Sequence, residues 1–218
     1  MFAFFAGLAA GLLHVFSGPD HLAAVAPLAM SEKSAGKAGR FRVEGLASGL
    51  QWGVGHTAGV LLIATLLLFL KETLPLDAIS AYSERIVGLS LIAIGCWGLW
   101  GAGVRRCEGA KVRRCEGAGV QGHSHSRASF AIGTIHGLAG SSHLFGVLPA
   151  LAFSARIDSV LYLGGFGIGA IAGMSAFAAG MGLLSTRFGR NHHLRYRGLL
   201  YASSATALVI GGFWLVGR

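Results

Sequence analysis

Residues 11–29 read GLLHVFSGPDHLAAVAPLA. The flanks are apolar and rich in Ala and Leu, as a membrane span requires. The middle carries His14, Pro19, Asp20 and His21. A carboxylate at the centre of a bilayer costs about 2.5–3.5 kcal/mol on insertion scales, so such a residue usually faces a cavity or a pathway. Ser17-Gly18-Pro19-Asp20 also reads as a helix break, with a small polar cap, Pro in the first turn and an acid beside it. The expected arrangement is two half-helices meeting at the polar group, the first ending near Phe16 with carbonyls that favour a cation.

The rest of the chain supports a membrane setting. Of its 218 residues 53% are hydrophobic and 12% charged, against roughly 25% charged in a typical soluble domain. The mean hydropathy is +0.62. Six apolar segments cover residues 2–30, 44–70, 83–102, 129–155, 160–184 and 198–216. The first would exceed about 40 Å as one straight helix at ~1.5 Å per residue, against about 30 Å of hydrocarbon, so it must tilt or break. The N-terminal MFAFFAGLAAGLLHV has no basic n-region and no small-residue cleavage site, and it is expected to be a mature span. The 35 glycines, many at small-xxx-small spacing as in Gly7/Gly11, Gly45/Gly49/Gly53, Gly55/Gly59 and Gly165/Gly169/Gly173, suit close helix packing.

The formal charge of +9 sorts by topology. Fourteen of the eighteen Lys and Arg follow the first, third and fifth segments, which are on one side if six spans alternate. By the positive-inside rule that side is cytoplasmic and both termini are extracytoplasmic, in a cell (inner) membrane. Nucleic acid is therefore not needed as a partner. The loop after the third segment, AGVRRCEGAKVRRCEGAGVQGHSHS, repeats RRCEGA and contains Cys107, Cys115, His123 and His125. It reads as a flexible basic linker, either inert or a loose metal-collecting tract.

Shifting the sequence by 122 residues aligns GLLHVFSGPDHLAAVAPLA with GTIHGLAGSSHLFGVLPAL. Seven of nineteen positions are identical, among them His14/His136, Gly18/Gly140 and His21/His143. A weaker echo sets Gly-His-Thr-Ala at 55–58 against Gly-Met-Ser-Ala at 173–176. The expected fold is an all-α polytopic membrane protein of six transmembrane helices. Residues 1–103 form one three-helix repeat, 104–127 the loop and 128–218 the second repeat. Three spans per repeat force opposite orientations, and transporters of this build place their substrate near the bilayer midplane, often on interrupted helices. The fourth segment, broken at Gly140, lacks the proline and acid of the first and should bend less.

His14, Asp20, His21, His56, His136 and His143 then share one depth near mid-membrane, and they are the candidate metal ligands. Several neutral imidazoles with one carboxylate suit nickel, cobalt or zinc, whereas Mg²⁺ and Ca²⁺ favour more oxygen. Ser17 and Met174 are weaker candidates, and methionine is often a gap-filler.

HVFSGPDHLAAVAPLA, its second copy HGLAGSSHLFGVLPAL and WGVGHTAG together resemble the UreH-like branch of the nickel/cobalt transporter superfamily. The resemblance covers nearly the whole chain and implies movement of Ni²⁺ or Co²⁺ across a membrane, often to supply metalloenzymes such as urease or hydrogenase, or cobalamin synthesis. It places the family's His…Asp-His signature on His14, Asp20 and His21. Better-studied members have four residues between the first His and the Asp, with an acid among them; here there are five, VFSGP. Iron and manganese therefore stay open as substrates.

The expected activity is secondary transport of a divalent transition-metal ion, not catalysis. No resident cofactor is called for, and a homo-oligomer is compatible with the sequence. A transmembrane thiol electron carrier shares the repeat architecture but needs cysteines in segments 2–30 and 129–155, and those have none. An intramembrane metalloenzyme is the third reading; its His-Glu-x-x-His pattern does not occur.

Overall fold

The computed structural model describes residues 1–31, 38–70, 76–104, 123–138, 141–191 and 193–216, with the side chains of some of these, including His123, His125 and His143, outside the described set. The described residues form eight α-helices: α1 (Phe2–Ser17), α2 (Pro19–Ser31), α3 (Ala38–Leu70), α4 (Leu76–Val104), α5 (His123–Leu138), α6 (Ser141–Ala152), α7 (Arg156–Asn191) and α8 (His193–Val216).

The first segment is two helices. Gly18 leaves the helical conformation (φ −86°, ψ 99°) while its N–H still bonds the His14 carbonyl at 3.1 Å. Pro19, which has no N–H to offer a preceding turn, starts α2, and the axes of α1 and α2 differ by 73°. The fourth segment is also two helices, α5 and α6; Gly140 between them lies outside the described residues. Several helices overrun their apolar windows. α3 starts at Ala38, α4 at Leu76, α7 at Arg156 and α8 at His193, because the backbone hydrogen-bond ladder needs no lipid to continue. α5 likewise starts at His123, so the backbone of the His123–His125 tract is helical, while 105–122 lie outside the described residues.

Among the described residues two helices alone are long and apolar enough to cross a membrane, Arg156–Leu184 and Gly198–Val216, and the bent pair α1–α2 makes a third. Phe2, Phe5, Leu13, Phe16, Leu62, Trp100, Val209 and Phe213 are exposed. These apolar helices with apolar outer surfaces are those of a membrane protein.

Small residues set how the helices meet. α1 buries Ala3, Gly7, Gly11 and Val15, one stripe at four-residue spacing. A methyl group at Gly7 or Gly11 would fall on the Tyr162 or Phe166 carbonyl of α7, and one at Gly165 or Gly169 on the Phe4 or Leu8 carbonyl of α1. α5 meets α3 in the same way: Gly133 and Gly137 lie against the Trp52 and His56 carbonyls, and Gly55 and Gly59 against those of Phe130 and Thr134. Each half thus docks its first helix on the other half's long second helix.

Two further seams are reciprocal. Where α3 crosses α7, Gly53 faces Ile171 and Gly167 faces Thr57, and the Thr57 hydroxyl donates to the Gly167 carbonyl at 3.3 Å. Where α4 crosses α8, Gly88 and Gly211 each face the other's carbonyl. These contacts put WGVGHTAG (52–59) in register with FGIGAIAG (166–173). The weaker sequence echo, which set Gly55 against Gly173, is therefore displaced by four residues. One helical turn separates the two registers, and both keep the same face inward.

Candidate metal site

The α1–α2 break aims two histidines and an acid inward. His14 occupies the last turn of α1, and Asp20 and His21 the first turn of α2. A methyl group at Gly18 would fall on the His21 ring, so the residue at the break must be glycine for the imidazole to lie where it does. His56 comes from the middle of α3 and His136 from the last turn of α5. His21, His56 and His136 are fully buried, Asp20 is 3% exposed and His14 is half-buried.

Asp20 is the hub. Its Oδ1 accepts from His21 Nδ1 at 3.1 Å, and its Oδ2 accepts from His136 Nε2 at 2.9 Å. Hydrogen bonds to a charged group contribute about 1.5–3 kcal/mol each, so the two together offset the cost of burying the carboxylate. They also join α2 of the first half to α5 of the second. Around this hub the imidazoles crowd together. Ring centroids are 4.7 Å apart for His14–His21, 4.9 Å for His21–His56, 4.9 Å for His21–His136 and 5.7 Å for His14–His56.

Two groups of donors have geometry that could hold a metal ion: His14, His21 and His56, and Asp20, His21 and His136, the atoms of each lying within 4.8 Å of one another. Five of the six principal candidates thus converge. The sixth, His143, lies on α6 with its side chain outside the described residues. Ser17 does not join them; it is exposed, and its hydroxyl donates to the His14 carbonyl at 3.3 Å. Met174 is buried in an apolar cluster with Val15, Trp52, Ala170 and Ala178, a packing position. In the register set by the contacts, the counterpart of His56 is Ala170 and not Met174.

Two wall residues went unnoticed in the sequence. Trp52 lies 5.7 Å from the His136 ring, and Phe166 lies 5.4 Å from the His14 ring. Both are buried. They are matching positions of WGVG and FGIG, each beside the duplicated histidine carried by the other half. That shared place in the two glycine runs is the signal that could have found them.

No protein-family model matches the chain, and no solved structure matches it. It is 35% identical over 208 residues to Chloroplast protein FOR GROWTH AND FERTILITY 2 of Arabidopsis thaliana, covering 94% of this chain and 54% of that protein. It is 33% identical over 215 residues to Chloroplast protein FOR GROWTH AND FERTILITY 1 of the same plant, covering 94% and 56%. The chain therefore spans about half the length of these two curated relatives. A more distant similarity, 26% over 208 residues, links 86% of the chain with 80% of Urease accessory protein UreH from Bacillus sp. (strain TB-90).

Proposed function

We propose that this protein is a secondary transporter of divalent transition-metal ions, with nickel or cobalt first among its substrates. The observation that carries the reading is the convergence of His14, Asp20, His21, His56 and His136, from four helices of both halves, in a buried cluster. Imidazole nitrogen with one carboxylate oxygen suits borderline ions of the first transition row. A structural cluster of this kind is costly to bury without a task. The similarity to a protein named for urease, a nickel enzyme, favours nickel among the substrates.

The repeat architecture belongs to the same reading. Six spans, as two inverted three-span repeats, are supported by the reciprocal seams: α1 on α7 with α5 on α3, and Gly88 against Gly211. The donors sit between the halves, where such transporters bind substrate. The basic residues would face the cytoplasm and both termini the opposite side. The protein's role is to bind and pass an ion, not to catalyse a reaction.

The test is flux in proteoliposomes of the full chain, with Ni²⁺, Co²⁺, Zn²⁺, Mn²⁺ and Fe²⁺ offered singly under imposed pH gradients. Saturable uptake of Ni²⁺ or Co²⁺ is expected, abolished by Asp20→Ala and by His21→Ala. Absence of flux for every metal, or undiminished flux in both variants, overturns the proposal.

A further inference from the structure

The five donors do not form a single shell. Among the described residues they fall into two triads, and His21 alone belongs to both. A neutral imidazole has one lone pair and one N–H, so His21 can serve one triad at a time. We propose that the triads are alternative positions for one transported ion: an outer position made by His14, His21 and His56, and an inner one made by Asp20, His21 and His136. The ion passes between them by exchanging two ligands about His21. This rests on the transporter reading above and adds to it a second binding position and an order of events.

Burial and donor chemistry give the two positions different tasks. The outer triad contains His14, the half-buried member, whereas every member of the inner triad is buried. Three nitrogen donors favour borderline transition ions and hold Mg²⁺ and Ca²⁺ poorly, since those require oxygen. The outer position therefore selects. The inner position adds a carboxylate, which compensates part of the ion's charge where solvent is excluded. In the structure the donors of the inner position are joined by the two hydrogen bonds from His21 Nδ1 and His136 Nε2 to Asp20. For the ion to enter, each ring must present a lone pair at the nitrogen that faces Asp20, its proton moving to the far nitrogen of the same ring. The proton count of the site is unchanged. The shift also commits the single lone pair of His21 to the inner position, so the outer one must empty as the inner fills.

The experiment uses the full-length protein in detergent with Co²⁺ as probe, X-ray absorption to count imidazole ligands, and flux of the same variants in vesicles. One ion per chain is expected. Asp20→Ala and His136→Ala should each retain Co²⁺ with three imidazoles, the outer set. His14→Ala and His56→Ala should each retain it with two imidazoles and an oxygen, the inner set. All four should lose flux, and His21→Ala should lose binding. Either member of a pair reports on its triad should the other fail to fold. The same ligand count in both pairs, or two ions bound at once to the wild type, overturns the two-position scheme. Transport by the wild type would still stand in that case, whereas wild-type protein that binds Co²⁺ in the expected pattern yet moves none would sink the transporter reading alone.

Discussion

Among the described residues, the two halves of the molecule share a pattern of glycine seams but contribute unequally to the candidate site. Residues 1–104 supply four of the five described donors, His14, Asp20, His21 and His56, and residues 123–216 supply His136. The glycine seams, by contrast, occur in both halves: Gly11 and Gly133 each rest on a carbonyl of the other half's long helix, and Gly55 and Gly169, on those long helices, each rest on a carbonyl of the other half's first helix. The difference shows what each kind of residue answers to. A seam between helices is close-packed along its length, and one added methyl group disrupts it. Such seams occur twice, so glycine is required twice. A single ion at the proposed site would need only a handful of ligands in total, and either half could supply most of them. Asp20 stands where the second copy has Ser142, His56 where it has Ala170, and Ser17 where it has Ala139.

The comparison can be broken by copying the second half's residues into the first. Asp20→Ser should have the largest effect, because the serine cannot hold His21 and His136 together or compensate the ion's charge. Metal-dependent flux should fall to that of empty vesicles; measurable transport would mean that the second half carries more of the site than His136. His56→Ala, which repeats Ala170, should likewise remove flux while leaving metal bound to the purified protein, as equilibrium dialysis would read. Gly18→Ala alters a residue that the two copies share. Its methyl group would displace the His21 ring, and nickel affinity should fall about 10–100-fold, as when the support of a metal ligand is lost; titration calorimetry measures this, and an unchanged affinity would contradict the tight approach at the break.

Gly11→Ala and Gly133→Ala probe the part that the halves have in common. Each should destabilise the protein by about 1–3 kcal/mol, the usual cost of overpacking, and by similar amounts, read as lowered thermal midpoints in detergent. A large effect at one position and none at the other would argue against matched seams. Ser17→Ala should do least. Its hydroxyl is exposed and bonds only its own helix, so stability should change by no more than about 0.5 kcal/mol and flux should stay at the wild-type rate; a drop in flux would bring Ser17 back among the ligands.

Much of the candidate cluster was legible in the sequence because its residues break a local rule. His14, Asp20 and His21 stand out where lipid disfavours them, and the copy at 133–151 marks His136 as their partner. Trp52 and Phe166 break no rule, since aromatic residues in apolar helices are ordinary, and they became meaningful only when seen beside the histidines. Met174 was drawn into the candidate set by a register one turn out. The structure returns it to the core and puts Ala170 opposite His56.

Composition and pattern alone determined an apolar helical chain, its interruption at Gly18-Pro19, and a duplicated histidine pair with one acid. These are local properties, set by the chemistry of neighbouring residues. The docking of α1 on α7 and of α5 on α3, the bond from His136 to Asp20 across the halves, and the match of 52–59 with 166–173 were decided only in three dimensions. A helix moved by four residues keeps the same face inward, so its periodicity cannot distinguish one register from the next. The approach of a glycine to one particular carbonyl can, because it fits in one position and collides in the other.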